Sequence, residues 1–155
     1  MAQFDNSPEN KARRAKKRLG LTFWQIEQEL LSNRGTLDQS VKMRGSVARA
    51  RVILRVTCRI PERWAMSIIF HNERINGIDW EQRVHDHRGK KFDCSGWHRH
   101  IWKANGGDAH KQCLPRFKVK TLEDFIVDGF KILNVQLERS KSNADDLFGN
   151  QTGLD

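Results

Sequence analysis

From Arg51 to Ile60 the chain alternates, with Val52, Leu54, Val56, Cys58 and Ile60 on one phase and Arg51, Ile53, Arg55, Thr57 and Arg59 on the other. A period of two marks a strand with one buried face, because successive side chains of extended backbone point to opposite sides. Pro61-Glu62-Arg63 reads as a turn. Trp64, Met66, Ile68 and Phe70 then resume the alternation against Ala65, Ser67, Ile69 and His71, which predicts a hairpin. After a turn at Asn72 to Gly77, a third strand carries Ile78, Trp80 and Val84 on one side, with Glu81, Arg83, His85 and His87 on the other. A fourth sets Trp97 and Ile101 against His98, His100 and Trp102.

Helical signals bracket these strands. Ser7-Pro8 can open a short helix, with Ser7 capping and Pro8 in the first turn. Thr22 and Gln25 have capping-box spacing, Phe23, Ile26 and Leu30 recur at helical spacing, and Asn33-Arg34-Gly35 supplies a stop. Thr121 and Asp124 predict another helix start, followed by Leu122, Phe125, Ile126, Ile132, Leu133 and Leu137. Residues 35–47 read as a polar connection. The fold class predicted is α+β: an antiparallel four-stranded meander sheet with N- and C-terminal helices packed on one face. Residues 1–20 are expected to form a basic N-terminal arm, 21–138 a single α+β domain, and 139–155 a disordered tail.

Composition sharpens this picture in two ways. Only 37% of the 155 residues are hydrophobic, so the core must be concentrated in those few segments. With 28 Lys+Arg against 19 Asp+Glu, the net charge of +9 favours anionic partners, nucleic acid first. Lys11 to Arg18 alone holds six positive charges in eight residues; Arg13, Arg14, Lys16 and Lys17 are candidate RNA contacts, and a solvated helical arm is the plainer reading. No apolar run approaches the ~20 residues that cross a bilayer, and no signal-peptide core is present, so no membrane partner is expected. Cys58, Cys94 and Cys113 are an odd set, read as reduced thiols in a cytoplasmic protein, with Cys58 a small core residue.

The chemistry gathers in Asp79 to Lys103, which holds four of the six histidines as two His-x-His pairs, His85/His87 and His98/His100. Each pair aims two imidazoles at one face of a strand, and imidazole both exchanges protons near neutral pH and ligates metals. Metal-free RNA cleavage needs a base for the 2′-hydroxyl, an acid for the departing 5′-oxygen, and cations for the charge on phosphorus. His98 and His100 are the leading catalytic pair, Arg83 the phosphate ligand and His85 its neighbour. Arg55, His87 and Lys103 are further RNA contacts, and Trp102 can stack on a base or simply pack. Glu81 is the carboxylate that strand phase places with them. No cofactor is required on this reading. A structural zinc is the alternative, through Cys94, His98, His110 and Cys113. A nucleic-acid-binding protein without catalysis uses the same charge.

The order WEQRVHDHRG, a loop, GWHRHIWK and the capped helix TLEDFIVDGFKIL resembles small bacterial toxins of type II toxin–antitoxin modules, the TumE-like group and related families. The likeness covers about Arg51 to Leu137. It implies RNA cleavage and an antitoxin protein as partner. By position, Arg83 matches that group's strand Arg, and His98 and His100 match its His-x-His.

Overall fold

The structure, a computed structural model, describes residues 7–81, 84–85, 91–92, 96–103 and 107–139. Among the described residues, three α-helices lie at Pro8–Arg14 (α1), Phe23–Ser32 (α2) and Leu122–Ile132 (α3). The strands among the same residues are, in chain order, β1 Lys17–Arg18, β2 Thr36–Met43, β3 Arg49–Arg55, β4 Ala65–Phe70, β5 Glu73–Glu81, β6 Val84–His85, β7 Lys91–Phe92, β8 Gly96–Lys103, β9 Gly107–Cys113 and β10 Val135–Gln136. Eight of them form one sheet in the order β10-β1-β2-β3-β4-β5-β8-β9, while β6 and β7 pair separately. All neighbours in the large sheet are antiparallel except β1 and β10. The sheet curls into a half-barrel. No helix among the described residues is long and apolar enough to cross a membrane.

This corrects the four-stranded meander. The expected strands correspond to β3-β4-β5-β8, although β5 starts at Glu73 inside the expected Asn72–Gly77 turn and ends at Glu81, and the sheet extends beyond them on both sides. On one side β2 is the segment TLDQSVKM, read from sequence as a connection. Its Leu37, Val41 and Met43 are buried, yet Gln39 occupies the same phase and interrupts the apolar alternation. On the other side β9, GDAHKQC, pairs with β8 through main-chain hydrogen bonds that need no apolar pattern. Residues expected as an arm also enter the domain, because Ser7 caps α1 and Lys17–Arg18 joins the sheet. Beyond Arg55 the alternation is no longer strand: Cys58 and Ile60 are both exposed, so Cys58 is not a core residue.

The helix starts follow local chemistry. Thr22 accepts from Gln25 N while the Gln25 side chain accepts from Thr22 N, closing a capping box. Thr121 Oγ1 accepts from Asp124 N at 3.1 Å. The last helix ends at Ile132, short of Leu137, because Asn134 turns the chain at φ 59° and Val135–Gln136 becomes strand.

One face of the sheet carries the core. Val52, Leu54, Met66, Ile68 and Ile78 are fully or almost fully buried, together with Ile26 of α2 and Phe125, Ile126 and Phe130 of α3. Phe125 sits among Trp64, Trp97 and Phe117, with ring centroids 5.5, 5.4 and 6.3 Å away. Gly35 joins α2 to β2 at φ +81°; its N donates to Leu30 O and its O accepts from Val56 N. A Cβ there would lie 2.8 Å from the Thr57 Cα, a backbone atom. Gly35→Ala is therefore expected to lose about 2–5 kcal/mol from left-handed strain and overpacking together. Chemical denaturation checks this, and a loss below about 0.5 kcal/mol would show that the turn relaxes freely.

Candidate active site

A continuous row crosses the face away from α2 and α3. Thr36, Arg55, Ala65, Asp79, His98 and Cys113 are successive register partners on β2, β3, β4, β5, β8 and β9. The next row pairs Gly77 with His100, and His100 with Lys111. Asp79 and Glu81 share a face because they are two apart on β5, as are His98 and His100 on β8. One irregularity adds to the group. A bulge at Ile68/Ile69 pairs Ile69 with Arg74 instead of Ile75, so Arg74 falls into phase with Gly77 and Asp79. The Arg74 stem lies 3.2 Å from where a Gly77 Cβ would stand, so the missing side chain makes its room.

The bonds form one network. His100 Nε2 is 2.7 Å from Asp79 Oδ1 and 3.5 Å from Glu81 Oε1. Lys111 Nζ lies 2.9 and 3.0 Å from the two Glu81 carboxylate oxygens. Arg74 Nη1 stands 3.8 Å from Asp79 Oδ2. With Nε2–H donated to Asp79, the basic nitrogen of His100 is Nδ1, which is buried and has no hydrogen-bond partner among the described residues. The imidazoles are not in an open cleft: His98 is 0% exposed and His100 3%. Asp79 and Glu81, with side chains 27% and 23% exposed, form the open edge. Asp79, Glu81 and His100 also place one ligand atom each within 4.8 Å of one another, so they can hold a metal ion. Two carboxylates and an imidazole suit a borderline divalent cation.

Several expected site residues are elsewhere. Arg83, His87 and Cys94 lie outside the described residues, as do the side chains of His85 and His110. The structural-zinc alternative fails at Cys113, which is disulfide-bonded and therefore offers no thiolate; the expectation of reduced thiols fails there too. Cys58 is a free, exposed thiol. Trp102 is 7% exposed and packs in the core. Lys17 is buried, and its Nζ donates to Arg13 O and Ala15 O. Arg14, Lys16, Arg55 and Lys103 are exposed, and Arg13 is half-buried.

Sequence reading missed Asp79, Lys111 and a basic row at the far end of the same face. Arg18, Lys42 and Arg49 are successive partners on β1, β2 and β3. With Ser40 and Glu138 they line a groove of about 710 Å³. Lys42 is six residues from Thr36 on a regular strand, which puts this row on the His98 face. Beside it Arg51 binds both oxygens of Asp38, at 3.0 and 2.6 Å, and holds that carboxyl below the usual carboxylate range. Glu138 reaches Arg18 at 3.4 Å, and Arg49 donates to Ser40 Oγ, a neutral partner.

Comparison of the chain with protein-family models, with curated proteins and with solved structures finds no match.

Proposed function

We propose that the protein binds RNA along the basic face and cleaves it at the Asp79–His100 group. The observation that carries this reading is the 2.7 Å hydrogen bond between His100 Nε2 and Asp79 Oδ1, which orients the ring while its Nδ1 has no partner among the described residues. His100 Nδ1 takes the proton of the ribose 2′-hydroxyl, and the resulting oxygen attacks phosphorus. The bond to the 5′-oxygen breaks, and His98, two residues before His100 on β8, supplies its proton. Arg74 and Lys111 stabilise the charge that gathers on the phosphoryl oxygens. The backbone enters from the Asp79–Glu81 edge, and Arg18, Lys42, Arg49 and Arg55 hold the flanking phosphates. The toxin resemblance brings an antitoxin protein to the proposal as partner.

A second reading is favoured by the convergence of Asp79, Glu81 and His100 within 4.8 Å: these three side chains would hold a divalent cation, which would supply Lewis-acid activation of water for phosphodiester hydrolysis. One experiment separates the two. Single-stranded RNA is incubated with the purified protein, with and without chelator, and product ends are analysed. Cyclic 2′,3′-phosphate ends formed in chelator match proton transfer by the histidines. Cleavage that needs added Mn²⁺ matches the metal. Uncut RNA in both arms defeats cleavage and leaves a binding protein.

Binding itself is expected to weaken steeply with salt, log K falling by about 0.7 per phosphate contact for each unit of log salt. The double variant Lys42→Ala, Arg49→Ala should flatten the slope by about 1.4, read by fluorescence anisotropy across a salt series. An unchanged slope removes this row from the RNA path.

A further inference from the structure

On the opposite side of the sheet α1 packs against β4, β5 and β8 and gathers a second set of charges. Lys17 is 1% exposed, and both acceptors of its ammonium are neutral carbonyls, Arg13 O and Ala15 O. Arg99 donates through Nε to Asn76 Oδ1 at 3.0 Å. Arg13 donates through Nε to Asn10 Oδ1 at 3.1 Å, and Asn10 is 5% exposed. These cations feel one another: burial, then Arg13, then Arg99 push the Lys17 ammonium down to about 8. Among the described residues neither Lys17 nor Arg99 forms an ion pair with a carboxylate.

The amide of Asn76 adds an independent sign. Asn76 is 0% exposed, and its Oδ1 accepts from both Gly77 N and Arg99 Nε, which fixes the amide orientation. Its Nδ2 is thereby left as a buried donor without a partner among the described residues. Buried donors are nearly always satisfied, and buried like charges without a counter-ion oppose folding. Asn76 Nδ2, Lys17 and Arg99 ask for the same thing, an acceptor that carries negative charge.

We propose that the cluster is an oxyanion site that takes a phosphate group. The terminal amino groups of the Arg99 guanidinium and Asn76 Nδ2 donate to its oxygens, while Lys17 supplies balancing charge. The group comes either as free inorganic phosphate or as the phosphate of a nucleotide. The site is separate from the His100 face, so neither proposal depends on the other.

The test is thermal unfolding of the full chain in phosphate against chloride at matched ionic strength. Phosphate at a hundredfold excess over its Kd is expected to raise Tm by roughly 5–10 °C. Arg99→Met should lose that rise. Asn76→Asp supplies a built-in anion, so it should raise Tm in chloride and lose the phosphate response. A nucleoside 5′-monophosphate arm identifies the source: a rise with both ligands assigns a nucleotide phosphate, a rise with phosphate alone assigns the free ion. Equal Tm in phosphate and chloride for the native chain overturns the proposal. So does a full phosphate response in Arg99→Met or, where that variant does not fold, in Asn76→Asp. RNA cleavage by the native chain and its loss in a His100 variant leave this readout untouched.

Discussion

His100→Gln is expected to slow RNA cleavage by about 10²–10⁴-fold, the usual contribution of one positioned proton-transfer group. Glutamine keeps an N–H that can reach Asp79, which lies 2.7 Å from the native ring nitrogen, so the network around Glu81 and Lys111 has no reason to collapse. What it removes is the basic Nδ1. The Tm should therefore change little while the rate falls, and that combination separates a chemical role from a structural one. Asp79→Asn should also slow cleavage, by leaving the ring without the carboxylate that selects its tautomer. Cleavage by His100→Gln at the native rate would sink the assignment.

Phe125→Ala carries the largest expected loss of stability. The ring is fully buried and touches Trp64, Trp97 and Phe117, so its removal opens a cavity between α3 and the sheet. Large-to-small changes of this kind cost about 3–5 kcal/mol. At roughly 2–4 °C per kcal/mol for a chain of this size, Tm should fall by about 6–20 °C. Calorimetry reads it directly. A fall of less than about 2 °C would mean that α3 does not hold the sheet where the structure puts it. Trp97 belongs to β8, so this same packing anchors the strand that presents His98 and His100.

The central strands were legible because a half-buried strand writes a period of two, which β3 and β4 keep cleanly and β5 and β8 keep in part. That phase also placed His98 and His100 on the face away from α2 and α3, correctly. Their burial left no mark in the sequence. Strands whose ladders rest on main-chain bonds stayed hidden: β9 has no apolar alternation, β2 is broken by Gln39, and β1 and β10 are two residues each. Asp79 could have been found, since it sits two residues before Glu81 and shares its phase. Arg74 could not, because one extra residue at a bulge reverses everything before it. Trp102 follows the plainer of its two sequence readings, a packed ring that is 7% exposed.

The parallel pairing of β1 with β10 sets the order in which the molecule can be finished. Lys17 lies against Val135 and Arg18 against Gln136, so an early strand finds one of its two neighbours only after α3 has been made. On the ribosome, β1 can zip to β2 at once, but its outer edge stays bare through most of synthesis. A nascent chain halted before Val135 would display that edge, and the whole sheet would close on the last described strand to emerge.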